Sequence, residues 1–178
     1  MSEHRDSKLM SMLTGYAAAH QHPFNVIVHL IGIPIIMLGV TIPLTWLSID
    51  IDGFSFTAAH LVVFGFFFFY LTLDWIFALV FLIFGLLVVE LATTISALPF
   101  KWSASIAAVA FFGGYIAQFV GHAVEKSKPV LLKHPIQAHL AAPFFTIVEI
   151  FNILGLRNDL VKEVRARIAE LRREQSAA

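Results

Sequence analysis

Two short segments, far apart in the chain, combine residue types that bind metal ions. The first reads HQHPFNVIVH and holds His20, Asn25 and His29 where a long apolar run begins. Neutral imidazoles are common metal ligands, and an ionisable residue inside an apolar run is a functional hypothesis by default. The sequence therefore favours a metal-binding role for His29 and for His20. His22 is interpreted as an ordinary polar residue near the start of the run.

The spacing within this first segment sets a condition on the backbone. Asn25 and His29 are four residues apart and would share one face of a helix. His20 and His29 are nine residues apart, which places them on opposite sides of a straight helix. Pro23 suits the first turn of a helix. We therefore expect a break near His22-Pro23 that lets His20 fold back toward His29.

The second segment, QFVGHAVE, places His122 and Glu125 three residues apart, so that they share a helical face. The pair resembles the Glu-x-x-His pairs of di-iron helix bundles in reverse order. Imidazoles with a carboxylate form a ligand set for non-haem Fe(II) that leaves positions open for oxygen and substrate. A His–Glu hydrogen bond or an ion pair of Glu125 with a lysine fits the spacing equally well, and both interpretations stay open.

Other polar residues are interpreted as structural. His134 and His139 are five residues apart, a poor spacing for one helical face, and are expected at a membrane surface. Asp74 and Glu90 are expected in a turn and within the bundle. Glu149 lies in an apolar stretch, where it could orient a ligand or cap a helix.

Composition limits the classes of protein that could position these residues. Of 178 residues, 58% are hydrophobic and only 13% are charged, whereas soluble domains carry about 25% charged residues. The chain has no cysteine, which excludes disulfides, thiolate metal sites and cysteine nucleophiles. The formal net charge is zero, so no nucleic-acid partner is expected. The beginning of the chain does not read as a secretory signal peptide.

The apolar runs predict an all-α integral membrane bundle formed by the whole chain, residues 1–178, as a single domain. A span needs about 20 apolar residues. Two later segments are expected outside the spans: residues 135–154 as an interfacial helix and residues 158–175 as a C-terminal amphipathic helix. The four predicted spans are residues 24–47, 57–73, 75–98 and 103–121, with an acidic loop at 48–53 and a tight turn near Asp74.

The distribution of positive charge predicts the orientation of the bundle. Of twelve Lys and Arg residues, eleven precede Phe24 or follow Gly121, and only Lys101 lies between spans. The positive-inside rule then places both termini in the cytoplasm. His20, His29 and His122 would therefore meet at the cytoplasmic side, whereas His60 lies at the opposite side. Anionic lipids are the expected contacts of the lysines that follow the last span, Lys126, Lys128 and Lys133.

The two segments together resemble the 2-hydroxy fatty acid dioxygenases of fungi and their bacterial relatives. The resemblance rests on His20, Pro23, Asn25 and His29 with the following Gly32-Ile33-Pro34. It continues in Gln118 to His122, in Glu125 and Pro129, and in Ala142-Pro143 with Glu149. Order and spacing are kept over most of the chain, while the apolar middle matches only in character.

The resemblance implies Fe(II)-dependent oxidation of 2-hydroxy fatty acids by dioxygen to acids one carbon shorter. It puts His20, His29 and His122 in metal-binding roles. Asn25 and Glu125 become groups that orient ligands or substrate, or Glu125 becomes a ligand. The spacing of His122 and Glu125 is one residue shorter than the family's usual pattern, so the role of Glu125 stays open. His134 or His139 could complete the metal site.

Other functions fit parts of this pattern. A membrane haem protein with two histidine ligands and a non-catalytic lipid-binding or scaffold protein are the two alternatives. A di-iron desaturase would carry a His-x-x-His-His cluster, which the chain lacks. A transporter would place its polar residues near the middle of the membrane. We expect a bacterial inner membrane, or the endoplasmic reticulum if the chain is eukaryotic.

Overall fold

The apolar runs form helices in the computed structural model, which describes residues 8–177. The prediction of an all-α membrane bundle is confirmed: four helices are long and apolar enough to cross a membrane, namely Pro23–Thr45, Trp75–Ser96, Phe100–Glu125 and Pro135–Ile153. The helices are α1 Lys8–Ala17, α2 Pro23–Thr45, α3 Ala58–Leu71, α4 Trp75–Ser96, α5 Phe100–Glu125, α6 Pro135–Ile153 and α7 Asn158–Ala177, with one 3₁₀ turn at Val130–Leu132.

A small hairpin replaces the irregular acidic loop expected after α2. Strand β1, Ser48–Ile51, pairs antiparallel with strand β2, Phe54–Thr57. Asp52 and Gly53 both have positive φ, 50° and 84°, as a type I′ turn requires. The Asp-Gly pair is a recognised signal for this turn, so the hairpin could have been predicted from the sequence.

Helices α2 and α5 form the closest pair in the bundle. A Cβ on Gly39 would lie 2.6 Å from the backbone nitrogen of Phe111, so only glycine allows this separation. A Cβ on Gly114 would lie 2.5 Å from a side-chain carbon of Ile36 in the same way. Small residues at such contacts bring helix backbones together in membranes. This contact fixes the end of α5 against the beginning of α2.

Helices α3 and α6 differ in length from what the predicted assignment of spans requires. Helix α3 has 14 residues, or about 21 Å at 1.5 Å per residue, short of a hydrocarbon core of about 30 Å. Helix α6, expected at the interface, has 19 residues and a sufficient mean hydropathy. The assignment of membrane-crossing helices therefore stays a prediction.

The contacts of α6 nevertheless fit a helix lying across one end of the bundle. Its backbone oxygen at Leu140 accepts a hydrogen bond from the Tyr70 hydroxyl, near the end of α3. Phe144 and Phe151 both pack against Phe77, in the first turn of α4. Helix α6 thus covers the ends of α3 and α4 that lie close to the turn at Asp74.

That turn is held by two sets of contacts. The Asp74 carboxylate accepts hydrogen bonds from the backbone N–H groups of Ile76 and Phe77 and caps α4. It also forms an ion pair with Arg157, whose guanidinium lies over the Phe77 ring. The turn expected near Asp74 therefore also anchors the connection between α6 and α7.

Helix α1 was not predicted from the sequence. Leu9, Met10, Leu13 and Tyr16 follow helical spacing and are buried in the main core. Phe145 of α6 packs on the Tyr16 ring, with centroids 5.0 Å apart. Helix α1 therefore brings the chain to the segment that contains His20.

Candidate metal centre

Three histidines from separate parts of the chain meet at the end of the bundle covered by α6. One ring nitrogen from each of His20, His29 and His122 lies within 4.8 Å of those of the others. The ring centroids are 4.2 Å apart for His20 and His29, 4.8 Å for His20 and His122, and 5.0 Å for His29 and His122. In residues 8–177 no other group of three His, Asp or Glu side chains converges in this way.

The backbone brings these rings together through the break expected before Pro23. Helix α1 ends at Ala17, the chain turns, and α2 begins at Pro23 with His22 as its N-cap. His20 lies in this turn, so its ring reaches His29 in the second turn of α2. His122 lies in the last turn of α5, which the close contact of α2 and α5 places beside both.

Hydrogen bonds fix the orientation of all three imidazoles. Nδ1–H of His20 donates to the backbone oxygen of Tyr16 at 2.7 Å, and Nδ1–H of His29 donates to that of Asn25 at 2.9 Å. A carbonyl oxygen can only accept, so Nδ1 carries the proton in both rings. The Nε2 atom then presents a lone pair, as metal-ligating histidines do when their other nitrogen is bound to a carbonyl.

The third imidazole is oriented by a serine. Nδ1 of His122 lies 2.9 Å from the Ser127 hydroxyl oxygen, and that hydroxyl donates to the backbone oxygen of Ala19 at 3.3 Å. Because the Ser127 hydrogen is used by Ala19, its oxygen accepts from His122 Nδ1–H. All three Nε2 atoms are therefore free to act as ligands.

The chemistry of this donor set fits a transition metal. His20 is only 3% exposed, and its Nε2 has no hydrogen-bond partner among the described residues. Burial, with a further contribution from the neighbouring His29, lowers the pKa of His20 to about 3. The ring is therefore neutral at pH 7, as a metal ligand must be. A buried, neutral and unpaired nitrogen is costly unless a ligand satisfies it.

Asn25 and Glu125 lie beside the triad and join its two halves. The carboxylate of Glu125 accepts from the backbone N–H of Gln21 at 2.8 Å and from the side-chain amide of Asn25 at 2.6 Å. Both carboxylate oxygens therefore bind the segment that carries His20 and His29. Among the described residues, the converging set of possible ligands consists of His20, His29 and His122 and does not include Glu125.

The fit between α2 and α5 at this point is tight. Asn25 is fully buried, and a Cβ on Gly121 would lie 2.3 Å from its side-chain oxygen. Only glycine allows Asn25 to reach Glu125 here. The Gly-His pair of the second motif therefore serves both purposes: Gly121 admits Asn25, and His122 supplies an imidazole.

The remaining histidines of the described chain lie outside the triad. His22 is exposed and caps α2 by accepting from the Phe24 N–H at 3.2 Å. His134 is exposed at the start of α6. His139 accepts a hydrogen bond from the Tyr115 hydroxyl at 2.8 Å, because its Nδ1–H donates to the backbone oxygen of Pro135. Both His134 and His139 are therefore separate from the three converging nitrogens.

Two neighbouring polar residues were not predicted to take part. Ser127 orients His122, as described, and follows Lys126, which ends α5 in the left-handed conformation. Gln118 lies one turn before His122 on the same face of α5, and its amide has no hydrogen-bond partner among residues 8–177. The four-residue spacing of Gln118 and His122 was a signal in the sequence. The position of Ser127 depends on the chain reversal after α5 and left no such signal.

The triad forms one end of a cavity of about 380 Å³. Helices α2, α3 and α5 supply most of its walls, and α6 contributes Ala138, His139, Ala142 and Pro143. Phe66 lines this cavity, whereas Phe68 is 63% exposed on the outer face of α3. The phenylalanine-rich stretch of the sequence is thus divided between cavity wall and outer surface.

Comparison with known proteins identifies the family of the chain. The family described as 2-hydroxy-palmitic acid dioxygenase Mpo1-like matches residues 7–153. The chain is 30% identical over 177 residues to the 2-hydroxy-palmitic acid dioxygenase MPO1 of Saccharomyces cerevisiae, covering 93% of this chain and 96% of the yeast protein. No solved structure matches the chain significantly. The family match includes all three converging histidines, Asn25 and Glu125, and the chain belongs to the Mpo1-like family.

Proposed function

We propose that the protein is an Fe(II)-dependent dioxygenase that converts 2-hydroxy fatty acids to acids one carbon shorter. The observation that carries this proposal is the convergence of three buried imidazoles, each with its Nε2 free, at the end of an apolar cavity. The membership of the chain in the Mpo1-like family supports the substrate class.

The three imidazole ligands, together with the need for redox activity, narrow the choice of metal. Imidazole suits iron, copper, nickel and zinc, and zinc has no redox chemistry. Iron at this site would supply the redox chemistry with dioxygen that zinc lacks. His20, His29 and His122 would hold it through Nε2. In the overall reaction, dioxygen and the 2-hydroxy acid give the shortened acid, carbon dioxide and water, which balances atoms and the four electrons that dioxygen accepts.

The chain's own groups would hold the reactants in place. The Nδ1–H bonds to Tyr16, Asn25 and Ser127 prevent the imidazoles from rotating. The Gln118 amide faces the same cavity one turn before His122, where it can donate a hydrogen bond to the substrate's carboxylate or hydroxyl. The apolar walls beyond these groups exclude water from the reacting carbons.

The location of the reaction is part of the proposal. We place the histidine end of the bundle at the cytoplasmic face, with both termini in the cytoplasm of a bacterium and the chain in its inner membrane. The positive charges that follow α5 support this orientation. A fatty acid in the cytoplasmic leaflet would then present its carboxyl group at the depth of the triad, surrounded by membrane lipids.

The test is metal analysis of protein purified anaerobically in mild detergent, followed by reaction with 2-hydroxypalmitate and oxygen. We expect about one iron per chain, no Soret band and formation of pentadecanoate. Iron with a Soret band would point instead to a haem protein. Failure to bind Fe(II) on titration would contradict the proposed dioxygenase function and favour a lipid-binding scaffold.

A further inference from the structure

The cavity that begins at the triad is polar at one end and apolar at the other. His29, His122, Gln118, Tyr115 and His139 line the histidine-bearing part. The rest is lined by hydrocarbon side chains from α2, α3, α4 and α5, together with Thr41, whose hydroxyl donates to the backbone oxygen of Met37. The lining at this end includes Met37 and Leu44 of α2, Ala59 and Phe66 of α3, Phe81 of α4 and Phe111 of α5.

The length of the cavity matches one long acyl chain. Its lining on α2 runs from His29 to Leu44, fifteen residues on, which is about 22 Å along a helix. This exceeds the roughly 15 Å that one lipid tail spans in half of a bilayer's hydrocarbon core, so the cavity is long enough for a whole acyl chain. Ala59, 1% exposed at the start of α3, lies at the same far end as Leu44.

One side of the cavity opens toward lipid along its length. Val40, Val62 and Phe119 line it and are still 39%, 42% and 44% exposed. Their neighbours on the outer faces of α3 and α5 are large apolar residues, Leu61 at 63% and Ile116 at 64%. An apolar chain could therefore enter sideways from the leaflet without passing through water.

We propose that this groove between α2, α3 and α5 binds the acyl chain of the substrate, with the tail toward Leu44 and Ala59. This proposal rests on the proposed function for the identity of the head group. In this arrangement Met37 lies eight residues, or about 12 Å, beyond His29, and Leu44 about 22 Å beyond it. The two side chains therefore meet different parts of the tail and set the longest acid that fits.

Two variants test this arrangement. Met37→Trp should lower kcat/KM for long 2-hydroxy acids by about tenfold or more and spare short ones. Leu44→Trp should affect only the longest acids. Leu61→Trp is the matched control, because Leu61 is 63% exposed on the outer face of α3 and should leave the length profile unchanged. Identical chain-length profiles in the wild type and the three variants would overturn the proposed acyl-binding groove and leave the proposed dioxygenase function untouched.

A binding experiment separates the groove from the chemistry. Metal-free protein would be irradiated with 2-hydroxyhexadecanoic acid that carries a diazirine either at the tail end or beside C3. The tail probe should label residues 40–44 and 59–63, and the head probe residues 118–122. The same labelling from both probes, or labelling of outer faces only, would overturn the groove. Correct labelling in a protein without turnover would instead contradict the proposed reaction.

Discussion

The two ends of the bundle use polar residues differently. At the hairpin end, His60 completes a capping box: its Nδ1 accepts from the Thr57 backbone N–H and bonds with the Thr57 hydroxyl. Thr45 donates to the backbone oxygen of Ile42 and lies beside the Ser96 hydroxyl. At the histidine end, hydrogen bonds hold each ring through Nδ1 and leave Nε2 free.

This difference separates polar groups that stabilise the fold from polar groups held for a ligand. A capping histidine satisfies the beginning of its own helix and gains stability from that contact. His20 instead has an unpaired nitrogen while 3% exposed, which reduces stability in the absence of a ligand. At His20 this cost falls where two further imidazoles converge with it.

Replacing His29 by alanine gives the largest expected effect, and His60 at the other end provides the comparison. His29→Ala removes one of three ligands, so we expect iron content to fall close to zero and turnover to fall by more than the roughly hundredfold typical of lost supporting groups. The protein should still reach the membrane, because the change removes an unpaired group. Elemental analysis and product formation from 2-hydroxypalmitate measure both.

His60→Ala is the control for that experiment. It removes a cap contact, worth about 1 kcal/mol, and should lower the thermal midpoint slightly while iron content stays at the wild-type level. Iron retained in His29→Ala, or iron lost equally in both variants, would contradict the assignment of the two ends.

Sequence reasoning reached the bundle and the triad because both depend on strong local signals. Long apolar runs predict helices directly, and Pro23 marks the break that brings His20 to His29. The features that depend on contacts across the fold could not be predicted in this way. From its spacing Glu125 fitted a ligand equally well, and the hydrogen bonds of its oxygens with Gln21 and Asn25 depend on how α2 and α5 pack. Ser127 reaches His122 only because the chain reverses after α5.

Replacing Gly121 and Gly113 in turn by alanine tests the contact between α2 and α5. In Gly121→Ala the new Cβ would meet the Asn25 side-chain oxygen at 2.3 Å, so Asn25 must move and release Glu125. We expect a loss of about 1–3 kcal/mol in stability, typical of overpacking, together with weaker iron binding. A thermal unfolding series in detergent and an iron titration measure these two effects.

Gly113, eight residues earlier on α5, provides the matched control. A Cβ there meets nothing within 4 Å. Replacing a helical glycine by alanine in open space favours the helix by up to about 1 kcal/mol, so Gly113→Ala should be neutral or stabilising and keep its iron. Equal stability of the two variants would show that the close fit of Asn25 against Gly121 does not matter.

The smallest expected effect tests whether Nδ1 contacts control the metal site. Ser127→Ala removes the acceptor of His122 Nδ1–H and leaves the ring able to rotate, so iron affinity should fall by about tenfold to a hundredfold, as for other supporting groups. Ser105→Ala is the control, since the Ser105 hydroxyl donates only to the backbone oxygen of Lys101 on an exposed face of α5. Fe(II) titration of both variants compares them, and Ser127→Thr should recover part of the affinity because it restores a hydroxyl. Equal affinities in the wild type and Ser127→Ala would mean that the ring of His122 is held by packing alone, and that the histidine end does not depend on its Nδ1 hydrogen bond.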